Sequence, residues 1–181
     1  MSTGTIIRPT PVPVTPAEPT LRRVAPPEPF TLVIFGATGD LTARKLLPAL
    51  YGLWRRQFLP EDFAVIAVGR REKTDEGFRV DVRNAVSAFR DDLPATAEAW
   101  KSFLAHFSYH EADLAGTDGL RSLAGRVQAL ERATRLPGNR VFYLAVAPHF
   151  FAPTIAALDE ACLVRRNVER ARARVVIEKP F

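Results

Sequence analysis

The sequence of 181 residues predicts a doubly wound α/β fold, with a mostly parallel sheet covered by helices on both faces. Apolar runs such as FAVIAVG, residues 63–69, are typical of parallel strands that are buried on both faces. These runs alternate with segments whose apolar residues follow helical spacing. The first run, residues 32–35, leads through a turn with two glycines into a helix.

The predicted elements follow in chain order without an internal repeat. After the strand at 32–35, apolar residues at helical spacing predict a helix that extends to Trp54. The later elements are strands at 63–69, 107–111, 141–146 and 174–178, and helices at 75–90, 96–106, 118–134 and 150–162. Residues 30–181 are expected to form one domain. Residues 1–29 hold eight of the fifteen prolines and no periodic apolar pattern, which predicts a disordered, proline-rich tail.

Composition narrows the possible partners and the compartment. The net charge is +5, but the arginines are spread along the chain, and the densest group, within residues 165–174, has no interleaved aromatic residues. We therefore expect a solvated basic surface and no nucleic acid partner. Cys162 is the single cysteine, and no signal peptide or membrane span is evident, which favours a cytoplasmic protein without membrane attachment.

The turn after the first strand predicts a phosphate site. Gly36 and Gly39, with Ala37 and Thr38 between them, allow a sharp bend and a close approach of a ligand to the backbone. The free N–H groups and the dipole of the following helix favour a phosphate there. This Rossmann-like arrangement predicts dinucleotide binding, although the glycine spacing alone also fits a tight turn without a ligand.

The end of the second strand bears on the choice of coenzyme. In dinucleotide folds an acidic residue at this point selects NAD through the ribose hydroxyls. Here Gly69 is followed by Arg70 and Arg71, and the first acid is Glu72. An arginine attracts the 2′-phosphate of NADP, so the sequence predicts NADP, with Arg70 as the contact. The alternative is an arginine that only ends a strand in solvent.

Three segments stand in the order GATGDLTARKLLPAL, NRVFYLAVAP and RVVIEKPF. Together they resemble the glucose-6-phosphate dehydrogenases, because the first is similar to that family's coenzyme-binding segment and the other two follow it in the family's order. Ala147 stands where the second segment usually has its first proline. The resemblance runs from about Phe30 to Phe181.

The resemblance implies roles for individual residues. Coenzyme contacts are implied for Gly36, Ala37, Thr38, Gly39, Asp40, Leu41, Lys45, Arg70 and Lys179. Lys45 and Lys179 are also implied as substrate contacts, and Asp40 as a structural acid that accepts backbone N–H groups at the helix start. No metal ligand set is expected, since His106 and His110 lack an evident third partner.

The resemblance also implies an activity. The family oxidises the C1 hydroxyl of glucose 6-phosphate with hydride transfer to NADP, which opens the oxidative pentose phosphate pathway. The family's R-x-D-H-Y-L-G-K segment, with its catalytic histidine, has no counterpart here, so no catalytic residue is assigned. We expect these residues alone to bind NADP without turnover, and homo-oligomers to form only with the substrate domain.

Two other interpretations remain open from the sequence. The GATG turn also occurs in short-chain dehydrogenases and in related non-catalytic NADP-sensing modules. Their Tyr-x-x-x-Lys pair is missing, because Tyr51, Tyr109 and Tyr143 are followed four residues later by Arg55, Asp113 and Ala147. The E-K-P segment argues against such a module. A structural fragment that pairs with a second chain is the other alternative.

Overall fold

A computed structural model describes residues 27–89, 96–113, 117–164 and 172–178. Its strands are β1 (Phe30–Phe35), β2 (Phe63–Gly69), β3 (Phe107–Glu111), β4 (Arg140–Leu144) and β5 (Ala173–Ile177). They form one sheet in the order β3-β2-β1-β4-β5, and every pairing is parallel. After β1, the chain adds β2 and β3 on one side of this strand, and then β4 and β5 on the other side. The direction in which strands are added therefore reverses between β1 and β4.

Helices cover both faces of this sheet, as the sequence predicts. The described helices are α1 (Leu47–Arg55), α2 (Asp75–Phe89), α3 (Ala97–Ala105), α4 (Thr117–Thr134) and α5 (Phe151–Glu160). One apolar core joins the sheet to α1, α2 and α3, and a second joins the opposite face to α4 and α5. Successive residues of β1 enter alternate cores, Leu32 and Ile34 on one side, Val33 and Phe35 on the other.

The first helix departs from the regular geometry that its spacing predicts. Thr42–Leu46 is one π-helical turn, in which the N–H of Leu47 donates to the carbonyl of Thr42, and α1 begins only after it. Pro48 explains the wider turn, because proline has no N–H for the carbonyl four residues earlier and its ring crowds that carbonyl. The prediction of one continuous α-helix from the turn to Trp54 was therefore wrong in this segment.

Other boundaries differ by a few residues. Thr96 lies just outside α3, and its hydroxyl accepts a hydrogen bond from the N–H of Ala99 at 3.2 Å, as a helix cap. β4 ends at Leu144 instead of at residue 146, and a 3₁₀ turn at Pro148–Phe150 precedes α5. The described residues do not include residues 1–26 of the predicted tail or residue 90 of the predicted second helix. They also exclude most of the arginine group at residues 165–174.

A buried ion pair joins elements at the amino end of the sheet. Arg140, at the start of β4, donates to both carboxylate oxygens of Glu131 in α4, at 2.8 and 2.7 Å. Their side chains are only 11% and 9% exposed. Arg140 also donates to the carbonyl of Leu163, and the hydroxyl of Thr31 donates to Glu131. The arginine of the N-R-V-F-Y-L segment thus links β1, α4, β4 and the end of α5 far from the glycine turn.

None of the helices in the described ranges is both long enough and apolar enough to cross a membrane.

Two half-buried histidines predict a loss of stability in mild acid. The Nδ1 of His106 lies 2.8 Å from the carbonyl oxygen of Phe63, and its ring stacks on the Phe63 ring. Burial is the main cause that lowers the pKa of His106, and of His110, below the ordinary 6.5. Below pH 6.5 the two imidazoles therefore take up protons more readily in the unfolded chain than in the folded one. The free energy of unfolding is highest above pH 6.5 and falls as the pH drops toward the folded-state pKa values.

We expect a lower urea midpoint at about pH 5.5 than at about pH 7.5, and a smaller difference in the double variant His106→Gln, His110→Gln. An unchanged pH difference in the double variant would contradict this prediction.

Candidate functional site

A cleft opens at the carboxyl ends of the strands, where the strand order reverses. Ligands of open α/β sheets bind at such a point, because the loops on either side diverge and leave a crevice. The cleft has a volume of about 410 Å³. Its lining comes from the glycine turn and from the ends of β2, β3 and β4: Gly36, Thr38, Gly39, Val68, Gly69, Arg70, Arg71, Ala112, Asp113, Ala145, Val146, Ala147 and Phe150.

Gly36 cannot be replaced by a larger residue without moving the backbone. Its φ is +78°, and a Cβ at this position would lie 2.2 Å from the carbonyl oxygen of Ala145. The backbone of the turn therefore passes directly against the residue that follows β4. The neighbouring N–H of Ala145 donates to the carbonyl of Phe35 at 3.0 Å, which holds the two segments together.

Hydrogen bonds close the turn and set the start of the helix. The N–H of Gly39 donates to the carbonyl of Gly36 at 2.9 Å, and the buried hydroxyl of Thr42 donates to the same carbonyl at 3.1 Å. The N–H of Ala37 donates to the carbonyl of Val68 at 3.0 Å, which ties the turn to the end of β2. These bonds hold the turn against the end of β2, and the helix begins directly after it.

Two arginines line the cleft at the end of β2. Arg70 and Arg71 follow β2 directly, and both side chains are exposed. Glu72, the next residue, is absent from the lining of the cleft. The arrangement offers two guanidinium groups to an anion at the end of β2.

The residues singled out in the sequence divide into three groups. Gly36, Thr38, Gly39 and Arg70 lie together in the lining of the cleft. Ala37 is buried beneath the turn, Leu41 is half-buried and Lys45 is exposed, and none of these three lines the cleft. Lys179 lies outside the described residues.

The role expected for Asp40 at the helix start needs a correction. Its side chain is 81% exposed, and its carboxylate lies 3.6 Å from the guanidinium of Arg44, one turn later. The carboxylate thus points along the helix surface and does not cap the backbone N–H groups. The side chain that bonds the backbone of the turn is that of Thr42, whose buried hydroxyl donates to the carbonyl of Gly36.

The described chain ends beside a second polar contact. The hydroxyl of Tyr143 in β4 donates a hydrogen bond to the carboxylate of Glu178, which follows β5. Burial, followed by this hydrogen bond and the charge of Glu178, raises the pKa of Tyr143 to about 12, so the hydroxyl keeps its proton at neutral pH. The contact fixes the residue that immediately precedes Lys179.

Several cleft residues escaped the sequence analysis. Ala112 and Asp113 follow β3, and residues 145–147 follow β4. Alanine and valine after a strand carry no chemical signal, so only the strand order could identify them. Arg71 was noted in the sequence, but the predicted contact was given to Arg70 alone.

A larger hollow of about 510 Å³ lies along the outer edge of β3. Three of its charged residues are paired, because Asp75 bonds Arg126 at 2.9 Å and Arg79 bonds Glu76 at 2.9 Å. Arg79 and Asp75 also bond the backbone of Phe107 and Tyr109, so they cover the open edge of the strand. Within the described ranges, no three His, Cys, Asp or Glu side chains converge on a metal-sized site.

Comparisons with known proteins agree with this geometry. Residues 33–181 match the family model described as glucose-6-phosphate dehydrogenase, NAD binding domain. The chain is 39% identical over 155 residues to glucose-6-phosphate 1-dehydrogenase from Chlamydia pneumoniae, and 37% identical over 150 residues to that from Bacillus subtilis. These matches cover 84% and 83% of this chain, but only 30% and 29% of the relatives.

Solved structures show the same relationship. A glucose-6-phosphate dehydrogenase in complex with its substrate glucose-6-phosphate aligns over 85% of this chain and 31% of that one, with a TM-score of 0.72 and 29% identity. A glucose-6-phosphate 1-dehydrogenase from Mycobacterium avium aligns over 86% and 30%, with a TM-score of 0.66 and 28% identity. The chain therefore spans about 30% of the length of its relatives. With the family match over residues 33–181, this establishes that the chain belongs to the glucose-6-phosphate dehydrogenase family, and that it corresponds to the NAD binding domain.

Proposed function

We propose that this chain binds NADP in the cleft at the carboxyl ends of the strands. The observation that carries the proposal is the cleft itself, which brings the glycine turn and the two strand-end arginines together. NADP carries a pyrophosphate and a separate 2′-phosphate, and the glycine turn and the arginines each suit an anion. The family's domain is named for NAD binding, and the preference for NADP is our inference from the arginines.

The glycine turn fits a pyrophosphate. The space beside Gly36 has no room for a side chain, so the backbone itself faces the cleft next to the helix start. Free N–H groups at a helix start, together with the helix dipole, stabilise a phosphate there. Asp40 does not oppose this role, because its carboxylate is directed to Arg44 along the exposed side of the helix.

The end of β2 fits a 2′-phosphate. Arg70 and Arg71 offer two guanidinium groups, each able to donate charge-assisted hydrogen bonds to phosphate oxygens. An acid directly after β2 would repel the extra phosphate of NADP, and Glu72, the first acid after this strand, does not line the cleft. The acid that does line the cleft, Asp113, follows β3. We assign Arg70 as the first contact and Arg71 as its neighbour.

For the protein as a whole we propose oxidation of the C1 hydroxyl of glucose 6-phosphate. The coenzyme, when bound, supplies the acceptor for the hydride. Lys45 and Lys179 are proposed to orient the sugar phosphate and the coenzyme, following the family resemblance. Lys45 is exposed one turn into the first helix, where its ammonium group is free to approach an anionic substrate. Because this chain spans about 30% of its relatives, its own proposed part is coenzyme binding.

The coenzyme preference is tested with Arg70→Asp. The substitution removes a charge-assisted contact and introduces repulsion toward the 2′-phosphate, while the new carboxylate can accept from the ribose hydroxyls of NAD. We expect the NADP-to-NAD selectivity to fall by about tenfold to a thousandfold, which corresponds to about 1.4–4 kcal/mol. Calorimetric titration of both coenzymes with both proteins measures this shift.

Arg132→Asp is the matched control. Arg132 is exposed in the last turn of α4, at the opposite end of the sheet, and the substitution makes the same change in net charge. Its selectivity should match that of the original chain. An unchanged NADP affinity in Arg70→Asp would exclude Arg70 as the phosphate contact and make Arg71 the residue to test.

A further inference from the structure

The phenol of Tyr109 reaches the arginine segment from a neighbouring strand. Tyr109 pairs with Ala67 in the register of β3 and β2, and only 5% of the residue is exposed. Its ring packs on Phe78 of α2, with ring centres 5.4 Å apart. The hydroxyl extends past the end of β2 and donates to the backbone carbonyl of Arg71 at 2.6 Å.

This hydrogen bond supports a segment that has no regular structure. Residues 70–74, between β2 and α2, form neither helix nor strand. Their backbone conformation therefore depends on individual contacts, because no hydrogen-bond ladder runs through them. The Tyr109 hydroxyl holds the backbone carbonyl of Arg71, and Arg70 is the residue directly before it.

The space around the hydroxyl is filled on the side of β2. A Cβ added to Gly69 would lie 2.7 Å from the phenol oxygen and 3.3 Å from the Cγ2 of Thr38. The absence of a side chain at Gly69 thus lets the phenol and the glycine turn approach each other. The phenol oxygen and the side chain of Thr38 thus both lie close to Gly69, the residue directly before the two arginines.

The tyrosine is itself held in place. Its backbone N–H donates to the Oδ1 of Asp75 at 2.7 Å, and the Oδ2 of Asp75 accepts from Arg126 at 2.9 Å. The ring and the backbone are both restrained, so the hydroxyl has little freedom to follow a displaced loop. Asp75 is also the first residue of α2, the helix that follows the arginines. The same side chain therefore holds Tyr109 and stands at the start of that helix.

We propose that Tyr109 is a positioning residue for coenzyme selectivity, whose hydroxyl fixes the backbone at Arg71 and thereby holds the Arg70 and Arg71 guanidinium groups at the mouth of the cleft. This inference rests on the proposed binding of NADP. The tyrosine touches no phosphate itself. Its effect is expected mainly on the coenzyme that carries the 2′-phosphate, because NAD has a neutral hydroxyl in that place, which binds a guanidinium group more weakly than a phosphate does.

Tyr109→Phe tests this proposal, since it removes one oxygen and keeps the packing on Phe78. We expect NADP binding by the chain to weaken by about three- to tenfold, in line with the loss of one hydrogen bond, while NAD binding changes by less than about twofold. Calorimetric titration with each coenzyme yields the selectivity ratio. Tyr51→Phe is the matched control, because the Tyr51 hydroxyl is buried and has no hydrogen-bond partner within the described residues.

Each outcome has a distinct meaning. The proposal is supported if the ratio of NADP affinity to NAD affinity falls in Tyr109→Phe and stays unchanged in Tyr51→Phe. An equal loss for both coenzymes, or an unchanged ratio in a chain that prefers NADP, overturns it and leaves the proposed function intact. A starting chain without preference for NADP overturns the proposed coenzyme and this inference together. If Tyr109→Phe does not fold, the same ratio is measured in Gly69→Ala, whose Cβ displaces the hydroxyl, and an unchanged ratio there overturns the proposal.

Discussion

Replacing Gly36 with alanine is expected to destabilise the domain by about 2–5 kcal/mol and to abolish measurable NADP binding. The φ of +78° costs a residue with a Cβ about 1–2 kcal/mol. The added methyl group would also lie 2.2 Å from the carbonyl oxygen of Ala145, which belongs to the backbone and cannot rotate away. The turn or the end of β4 must therefore shift, which costs about a further 1–3 kcal/mol.

The loss of binding has the same physical cause. Ala145 and Gly36 both line the cleft, so a shift of either changes the wall against which the pyrophosphate is proposed to lie. Urea denaturation measures the stability, and calorimetric titration measures the affinity for NADP.

Gly125→Ala is a suitable control for this prediction. Gly125 is an exposed residue within α4, and a Cβ built there meets no atom within 4 Å. Alanine should stabilise the helix by about 0.5–1 kcal/mol and leave NADP binding unchanged. A Gly36→Ala chain with the original urea midpoint and the original affinity would show that the turn tolerates a side chain.

The second large effect is expected at the buried ion pair. Arg140→Met should destabilise the domain by about 3–5 kcal/mol, because it leaves the carboxylate of Glu131 buried without its partner. Both side chains of this pair are about 90% buried, and two hydrogen bonds join them. The site lies at the amino end of the sheet, so the affinity of the folded fraction for NADP should not change.

Two further variants separate charge from packing. Adding Glu131→Leu to Arg140→Met removes the unpaired charge and should recover a large part of the lost stability. Arg44→Met makes the same substitution in an exposed pair, where the side chains of Arg44 and Asp40 are 57% and 81% exposed. It should cost no more than about 1 kcal/mol. Equal losses in Arg140→Met and Arg44→Met would contradict the role assigned to burial.

The elements of the fold were largely predictable because their signals are local. The run FAVIAVG of β2 and the helical spacing in α2 and α4 each lie within one segment, and periodicity identified them. The predicted helix and strand boundaries were wrong where a single residue or contact changed the geometry that the spacing of apolar residues predicts. Pro48 widens the preceding turn into a π-helical one, and the approach of Gly36 to Ala145 accompanies the early end of β4.

The site was predictable where its residues lie close together in the sequence. Gly36, Thr38, Gly39 and Arg70 come from one turn and from the end of the next strand, where the chemistry of glycine and arginine carries the signal. Asp40 was misjudged, because the direction of a side chain at a helix start depends on its neighbours in three dimensions. The side chain that bonds the backbone there is that of Thr42, whose hydroxyl donates to the carbonyl of Gly36.

By itself, the sequence determined the alternation of strands and helices, the glycine turn, the arginines after β2 and the resemblance to the family. Only the tertiary structure decided which strand ends share the cleft, and that the hydroxyl of Tyr109 holds the carbonyl of Arg71 from 38 residues away. The reason is that local periodicity reports whether a segment can be buried, but not which other segment buries it. Strand order and register decide that, and they depend on packing across both faces of the sheet.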